Sequence, residues 1–382
     1  MEYSKIGDIC LKVCSGGTPT SSNPNYYNGG IPWLNTNEVN FCNIYSTNKT
    51  ISQEGLEHSA AKYIPANTVI VAMYGVTAGK SAIAKIPLTT NQACCNLVID
   101  SAKADYRYVY YFLKQQSDNL NKLANGGAQQ NLNSLIIKKY KIALPDLEEQ
   151  HRIASILSTY DTLIENNTKR IRLLEKMAEN LYKEWFVRFR FPGHENVEME
   201  NGLPKGWKRG SLSDVCEFKR GKNITSSEME EGNIPVISAG LEPSCYHSCS
   251  NVRGTNVTMS SSGANAGYIA IHYSDIWAAD CSYIEEATTD NIYYVYELLN
   301  NIRTVINNFQ RGAAQPHVYP KDVNRIKLIL PSKDLMLTAN GRLEIMHKDI
   351  YNLQKQNSLL ARRRDLLLPR LMSGKLEVKM EK

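Results

Sequence analysis

The run Gly75-Val76-Thr77-Ala78-Gly79-Lys80-Ser81 follows a β-branched stretch and has the residue types that cradle a nucleotide phosphate. That chemistry needs four residues between the two glycines, so that successive N–H groups can wrap the anion. Here there are three, and the run reads as a turn. The seven histidines are scattered, with no His-x-x-x-His and no acidic pair at ligand spacing. His151, His272 and His317 therefore read as polar surface or loop residues rather than metal ligands. Nine cysteines, Cys10, Cys14, Cys42, Cys94, Cys95, Cys216, Cys245, Cys249 and Cys281, are an odd number with no Cys-x-x-Cys pair. They read as small buried thiols in a reducing compartment, not as a disulfide framework or a zinc site.

Asn23-Pro24-Asn25-Tyr26 is similar to the Asn-Pro-Pro-Tyr active-site motif of adenine methyltransferases. Asn25 stands where the second proline belongs, and no glycine-rich cofactor loop follows a strand in the expected context. A turn is the simpler reading. No constellation in the chain is thus catalytic on its residues alone. The 382 residues carry 44 basic and 38 acidic side chains, a net charge of +6. A pI near 8.7 permits a nucleic-acid partner without demanding one. With 42% hydrophobic and 21% charged residues the chain is of ordinary globular composition, long enough for two domains. No apolar run approaches the ~20 residues that span a bilayer, and Met1 to Asp8 lacks the apolar stretch of a secretion signal. A cytoplasmic protein is expected.

The elements that hold any site are repeated. Tyr108-Val109-Tyr110 recurs as Tyr294-Val295-Tyr296, a shift of 294 − 108 = 186. The same shift carries Leu113 to Leu299, Leu144-Pro145 to Leu330-Pro331 and Leu173-Leu174 to Leu359-Leu360. Earlier in the chain the offset drifts, as loop insertions make it do: Ile31-Pro32 pairs with Ile234-Pro235. The chain is two copies of one unit. Each copy starts with short β-branched runs such as Thr68–Val71, Leu97–Ile99 and Ile326–Leu330, separated by Gly, Asn, Ser and Pro. Each contains one helix, expected over Tyr108–Leu123 and Ile292–Phe309.

A long helix follows in each copy. In the first, Ile153, Tyr160, Asn167, Leu174 and Leu181 fall seven apart, beside a stripe of Leu157, Ile164, Ile171, Ala178 and Trp185. In the second, Met346, Leu353, Leu360 and Leu367 form one stripe, with Leu343, Ile350 and Asn357 on the other. Sustained heptads argue for coiled-coil pairing, most simply of the two helices with each other, with Asn167 and Asn357 setting register. Pro369 and Gly374 are expected to end the second helix. The fold expected is α+β: two globular domains of mixed short strands and helices, in tandem with two long helices forming an antiparallel coiled coil. The bounds expected are domain 1–147, helix 148–190, linker 191–206, domain 207–332, helix 333–376 and tail 377–382.

Leu144-Pro145 followed by Glu149-Gln150-x-x-Ile153, the run Gly202-Leu203-Pro204-x-Gly206-Trp207, and the ending Asp365-Leu366-Leu367-Leu368-Pro369-Arg370-Leu371-Met372-Ser373-Gly374 carry a resemblance. Over essentially its whole length the chain resembles the specificity subunit of type I restriction-modification systems. The resemblance implies that each globular unit is a target recognition domain reading one half of a split duplex-DNA site. It implies that the helices space the domains and dock two methyltransferase subunits, and through them restriction and translocase subunits. S-adenosylmethionine, ATP and Mg then belong to those partners, with no cofactor, metal or catalytic residue in this chain. The second helix departs from the pattern, with Leu335 and Met336 where the first has Glu149-Gln150.

The physics fits such a role. A helix from about Ile153 to Phe186 is ~50 Å long, comparable with about 15 base pairs of B-DNA. Two units of different sequence suit a two-part site with different halves. Candidate contacts lie in polar, glycine-bearing loops: Ser15, Gly16 and Thr18; Tyr74, Thr77 and Lys80; Gln129, Gln130 and Asn131. In the second copy they are Lys219, Arg220 and Lys222; Ser261 and Ser262; Arg311, Gln315 and His317. Arg and Lys suit phosphate or guanine, and Gln and Asn suit adenine. Two other readings stay open: a self-contained adenine methyltransferase with an unusual cofactor loop, and a coiled-coil scaffold that binds no DNA.

Overall fold

The β-branched runs form strands, and burial on both faces explains why some read as unbroken apolar stretches. Val69–Ala72 is central in a five-stranded sheet ordered Cys10–Ser15, Cys94–Ile99, Val69–Ala72, Ser81–Ala84, Cys42–Ile44. Its alternate side chains feed two cores: Val69 and Val71 one, Ile70 and Ala72 the other. A second sheet has three strands, with Tyr27–Leu34 between Lys49–Ile51, antiparallel to it, and Thr89–Thr90, parallel to it. The second copy repeats the plan with Lys219–Arg220, Cys281–Glu285, Asn256–Ser260 and Ile269–His272, and with Cys245–His247, Ile234–Ile237 and Trp277–Ala278.

This computed structural model describes residues 2–123, 132–225, 227–312 and 316–376. They fall into two units. One holds the chain up to Glu165 together with the chain from Ser358 on, and the other runs from Asn166 to Asn357. In each, the strand that opens the globular part pairs antiparallel with the strand that closes it. Glu2–Lys5 lies against Lys141–Leu144, and Lys208–Ser211 against Lys327–Leu330. Among the described residues no helix is long and apolar enough to cross a membrane.

The helix expected over Tyr108–Leu123 is two helices, Tyr106–Gln115 and Ser117–Lys122, and its counterpart divides into Ile292–Asn301 and Arg303–Asn307. Both break at the same place in the repeat, Gln116 and Ile302 (302 − 116 = 186). Asp105 starts the first, its side chain accepting the Arg107 N–H at 2.7 Å.

The first long helix is Leu147–Tyr182, extended by a π-helical turn Lys183–Val187. Asp146 caps it, accepting from Glu149 N at 2.8 Å. Buried Gln150 then ties the helix to the globular part: its amide donates to Pro145 O at 2.9 Å and accepts from Asp105 N at 3.1 Å. The second long helix, Lys333–Met372, has no glutamine there, and Asn340 one turn later does the same work. Asn340 accepts from Tyr293 N and Tyr294 N at 3.0 and 3.1 Å and donates to Asp290 O at 3.0 Å. Pro369 does not end this helix, contrary to its reading as a stop. It lies in the last turn, and Leu368, Leu371 and Met372 around it are buried in the first unit's core. Gly374, at φ 69°, follows the true end.

Each core is built from both long helices. Ile153, Ala154 and Leu157 pack with Leu368, Leu371 and Met372 in the first unit. Ala178, Tyr182, Trp185 and Phe186 pack with Met336, Ala339 and Leu343 in the second. The helices run antiparallel: Asp161 meets Arg364 in the first unit, while Asn167 bonds Gln356 and Asn357 bonds Thr168, both at 3.4 Å, in the second. Trp207 of the Leu-Pro-x-Gly-Trp run packs against Phe186, Phe189 and Phe191 at 6.1, 5.2 and 5.6 Å.

His272 on the strand Ile269–His272 lies 2.9 Å from Thr258 Oγ1 on the adjacent strand. Burial pushes its imidazole down to about 4. The unfolded chain, titrating near 6.5, takes the proton first, so stability present above pH ~6.5 is lost as pH falls toward 4. We expect about 2 kcal/mol of acid-linked loss from this residue. Urea unfolding at pH 7 and 4.5 should show a smaller difference in His272→Gln than in the parent chain; equal differences would remove His272 as the cause.

Candidate nucleic-acid interface

In the first unit the loops of interest converge through main-chain bonds. Gly17 N donates to Thr90 O, Met73 N to Ala93 O and Leu132 N to Met73 O, at 2.9, 2.8 and 2.9 Å. The segments 15–18, 73–80 and 91–93 therefore lie together, with Leu132 beside them. Ser15 and Thr18 are exposed, whereas the glycines between them serve close packing. A Cβ on Gly16 would lie 2.0 Å from Thr90 O, and one on Gly17 would lie 2.2 Å from Ala61 N. Gln129, Gln130 and Asn131 lie outside the described residues, as does Gln315 of the second unit.

The Gly75 run is a 3-10 turn in which three successive N–H groups are engaged within the loop. Ala78 N donates to Gly75 O, Gly79 N to Ala72 O and Lys80 N to Thr77 O. Those three N–H groups, which lead into Lys80 and Ser81, are not available to a phosphate. Gly75 at φ 76° and Gly79 at φ 82° allow the turn, and the Val76 side chain at its tip is 97% exposed. Tyr74 is exposed, while Thr77 is buried, donating to Thr36 O at 2.8 Å. Lys80 donates to Asn40 Oδ1 at 2.8 Å and lies over the Phe41 ring. Asn23-Pro24-Asn25-Tyr26 is likewise a closed turn: Asn23 Oδ1 accepts from Asn25 N at 3.1 Å, and Tyr26 stacks on His58.

The second unit repeats the convergence. Lys222 N donates to Ala278 O at 2.9 Å, Gly263 N to Pro316 O at 3.0 Å and Val318 N to Ser261 O at 3.0 Å. Lys219, Arg220 and Lys222 are exposed; Lys219 pairs with Glu285 at 3.0 Å and Arg220 with Asp280 at 3.5 Å. Arg311 is exposed and pairs with Asp322 at 3.0 Å, while His317 stacks on Tyr319. Exposed pairs of this kind contribute little to stability. Ser261 and Ser262 are buried instead, Ser262 donating to Asp280 Oδ2 at 2.5 Å. Among the described residues no three His, Cys, Asp or Glu side chains come together to hold a metal.

On the long helices Ile153, Ile350, Leu353 and Asn167 are buried. Tyr160, Ile164, Ile171, Leu174, Leu181, Met346, Asn357, Leu360 and Leu367 are half-buried. These stripes face into the units. The apolar side chains that remain open are others: Leu163, Leu173, Met177, Leu337, Ile345, Leu359 and Leu366. Leu173 and Leu359 are one position in the repeat, a signal present in the sequence.

One frame used twice with differing loops, each copy packed against long helices, is the architecture of a protein that presents two distinct surfaces. Residues 1–176 and 204–335 match the model of the type I restriction modification DNA specificity domain, and the chain belongs to that family. It is 28% identical to the type I restriction enzyme MjaIX specificity subunit of Methanocaldococcus jannaschii, over 99% of this chain and 94% of that one. A putative type I specificity subunit of Mycoplasma genitalium is 26% identical over 81% of this chain and 82% of its own. The crystal structure of a type I restriction-modification S subunit from M. genitalium has the same fold. Its TM-score is 0.66 at 20% identity, covering 100% of this chain and 96% of that one.

Proposed function

We propose that this chain is the DNA-reading subunit of a type I restriction-modification complex, each globular unit reading one half of a split duplex site. The observation that carries it is duplication of a frame with exchange of what the frame presents. Gly75 and Gly263 have φ of 76° and 74° in equivalent turns (263 − 75 = 188), and the turns read Tyr74-Gly75-Val76-Thr77 and Ser262-Gly263-Ala264-Asn265. One fold used twice with different loops suits two different half-sites.

The chain catalyses nothing itself in this reading. Two methyltransferase subunits, bringing S-adenosylmethionine, dock on the open apolar positions of the long helices, and ATP- and Mg-dependent restriction subunits join through them. The complex works in the cytoplasm. The adenine methyltransferase alternative has no support in the closed Asn23 turn.

The test is co-expression with a type I methyltransferase subunit, followed by sequencing that detects methylated adenines across the host genome. A split motif with a fixed gap, absent when this chain is omitted, is the expected result. A folded complex with no methylation and no affinity for duplex DNA would favour the scaffold reading. Exchanging residues 207–332 for another recognition unit should rewrite one half of the motif and leave the other intact, read by the same sequencing.

A further inference from the structure

We infer that Gln92 and Asp280 hold the same post in the two units and determine specificity there, Gln92 for an A·T pair and Asp280 with Arg220 for a C·G pair. The inference rests on the DNA-reading function above. The equivalence comes from the backbone. Thr89–Thr90 runs parallel to Trp33–Leu34, and Trp277–Ala278 runs parallel to Val236–Ile237. The next residue donates back across the pair in both: Asn91 N to Leu34 O at 2.9 Å, and Ala279 N to Ile237 O at 2.8 Å. The residue before it receives the glycine-bearing loop in both: Gly17 N on Thr90 O, and Lys222 N on Ala278 O, each at 2.9 Å. One residue further on stand Gln92 and Asp280.

Their surroundings correspond while their chemistry does not. Gln92 is exposed, and its Oε1 accepts from Thr18 Oγ1, next to Gly17. Asp280, with a side chain 33% exposed, accepts from Ser262 Oγ at 2.5 Å and faces the Arg220 guanidinium, next to Gly221, at 3.5 Å. A carboxamide both donates and accepts, as the N7 and N6 edge of adenine requires. A carboxylate only accepts, as from cytosine N4, and the arginine fork beside it fits guanine O6 and N7. Both accept a hydroxyl within the loop, so a residue kept only to close the turn would not need to exchange a donor-bearing amide for a carboxylate between copies. Direct readout of two different half-sites does need that.

The test uses the full chain co-expressed with its methyltransferase subunit, reading the methylated motif. Gln92→Ala should make one position of one half-site degenerate, with methylation at altered sites rising about 5- to 150-fold over the parent chain. Gln92→Glu, of nearly the same shape, should shift that position toward cytosine. Asp280→Asn still accepts from Ser262 yet should relax one position of the other half-site alone. In each case the untouched half-site reports that the chain is folded and assembled. A motif unchanged letter for letter in all three variants overturns the inference, as does a loss spread over both half-sites. A parent chain that directs no split motif would instead overturn the DNA-reading function, and this inference with it.

Discussion

Arg364→Met should cost about 3 kcal/mol of stability, lowering the urea midpoint of the unit that contains it. The Arg364 and Asp161 side chains are only 12% and 17% exposed, and they form an ion pair between the two long helices. Asp161 takes a second donor, the Tyr111 hydroxyl at 2.5 Å. Burial, with the Asp161 charge beside it, pushes the Tyr111 phenol far above its ordinary range, so it remains a donor. Removing Arg364 leaves a carboxylate in a nearly closed site with one donor, and the desolvation already spent on it is no longer offset. Replacing both residues, Asp161→Leu with Arg364→Met, should restore most of the loss. A single-variant loss under about 1 kcal/mol would mean that solvent screens the pair. The repeat sharpens the expectation. Asp161 and Tyr111 correspond to His347 and Glu297 (161 + 186 and 111 + 186), which pair at 3.2 Å. The same junction is held there by swapped chemistry, so the Arg364 variant should leave that transition unmoved.

The second large effect concerns the gap between half-sites. Four residues inserted into the first long helix alone, within Arg170–Met177, should disrupt the complex rather than retune it. Asp161 with Arg364 and Asn167 with Gln356 fix the register before the insertion, and Ala178, Tyr182 and Trp185 packing with Met336, Ala339 and Leu343 fix it after, so one lengthened helix cannot keep both. Four residues added to both helices at the level of Thr168 and Asn357 should preserve them. Each helix then grows by ~6 Å, about two base pairs of B-DNA. Methylation mapping should return the same two half-sites separated by a gap about two base pairs longer. An altered half-site would end the idea that the helices act as a spacer.

Heptads, the 186 shift and β-branched runs made the α+β plan and the paired helices legible in the sequence, because apolar periodicity reports burial directly. What a turn does with its polar residues was not legible. Ser261, Ser262 and Thr77 are buried while Ser15 and Thr18 are open. Small hydroxyl residues satisfy a neighbouring carbonyl or a ligand equally well, and spacing does not separate the two. Pro369 reads as a stop, yet the helix runs through it to Met372: the bond it cannot give to the Asp365 carbonyl is offset by burial of Leu368, Leu371 and Met372. Gln92 and Asp280 are polar residues just before a buried strand, with nothing in the local sequence to mark them. Only the bonds on Leu34 and Ile237 bring them into register, since one extra residue, Ala93, breaks the alignment just beyond them.

The pairing of Lys208–Ser211 with Lys327–Leu330 has a consequence for how such a protein acquires a new target. A module whose first and last strands are neighbours can be excised and replaced at two adjacent points, without rerouting the chain around it. A change of target then comes more readily from a single recombination of gene segments than from a series of point substitutions. Each substitution in such a series must keep a half-altered loop both folded and selective. Inheritance by cassette follows from one antiparallel pair of four-residue strands.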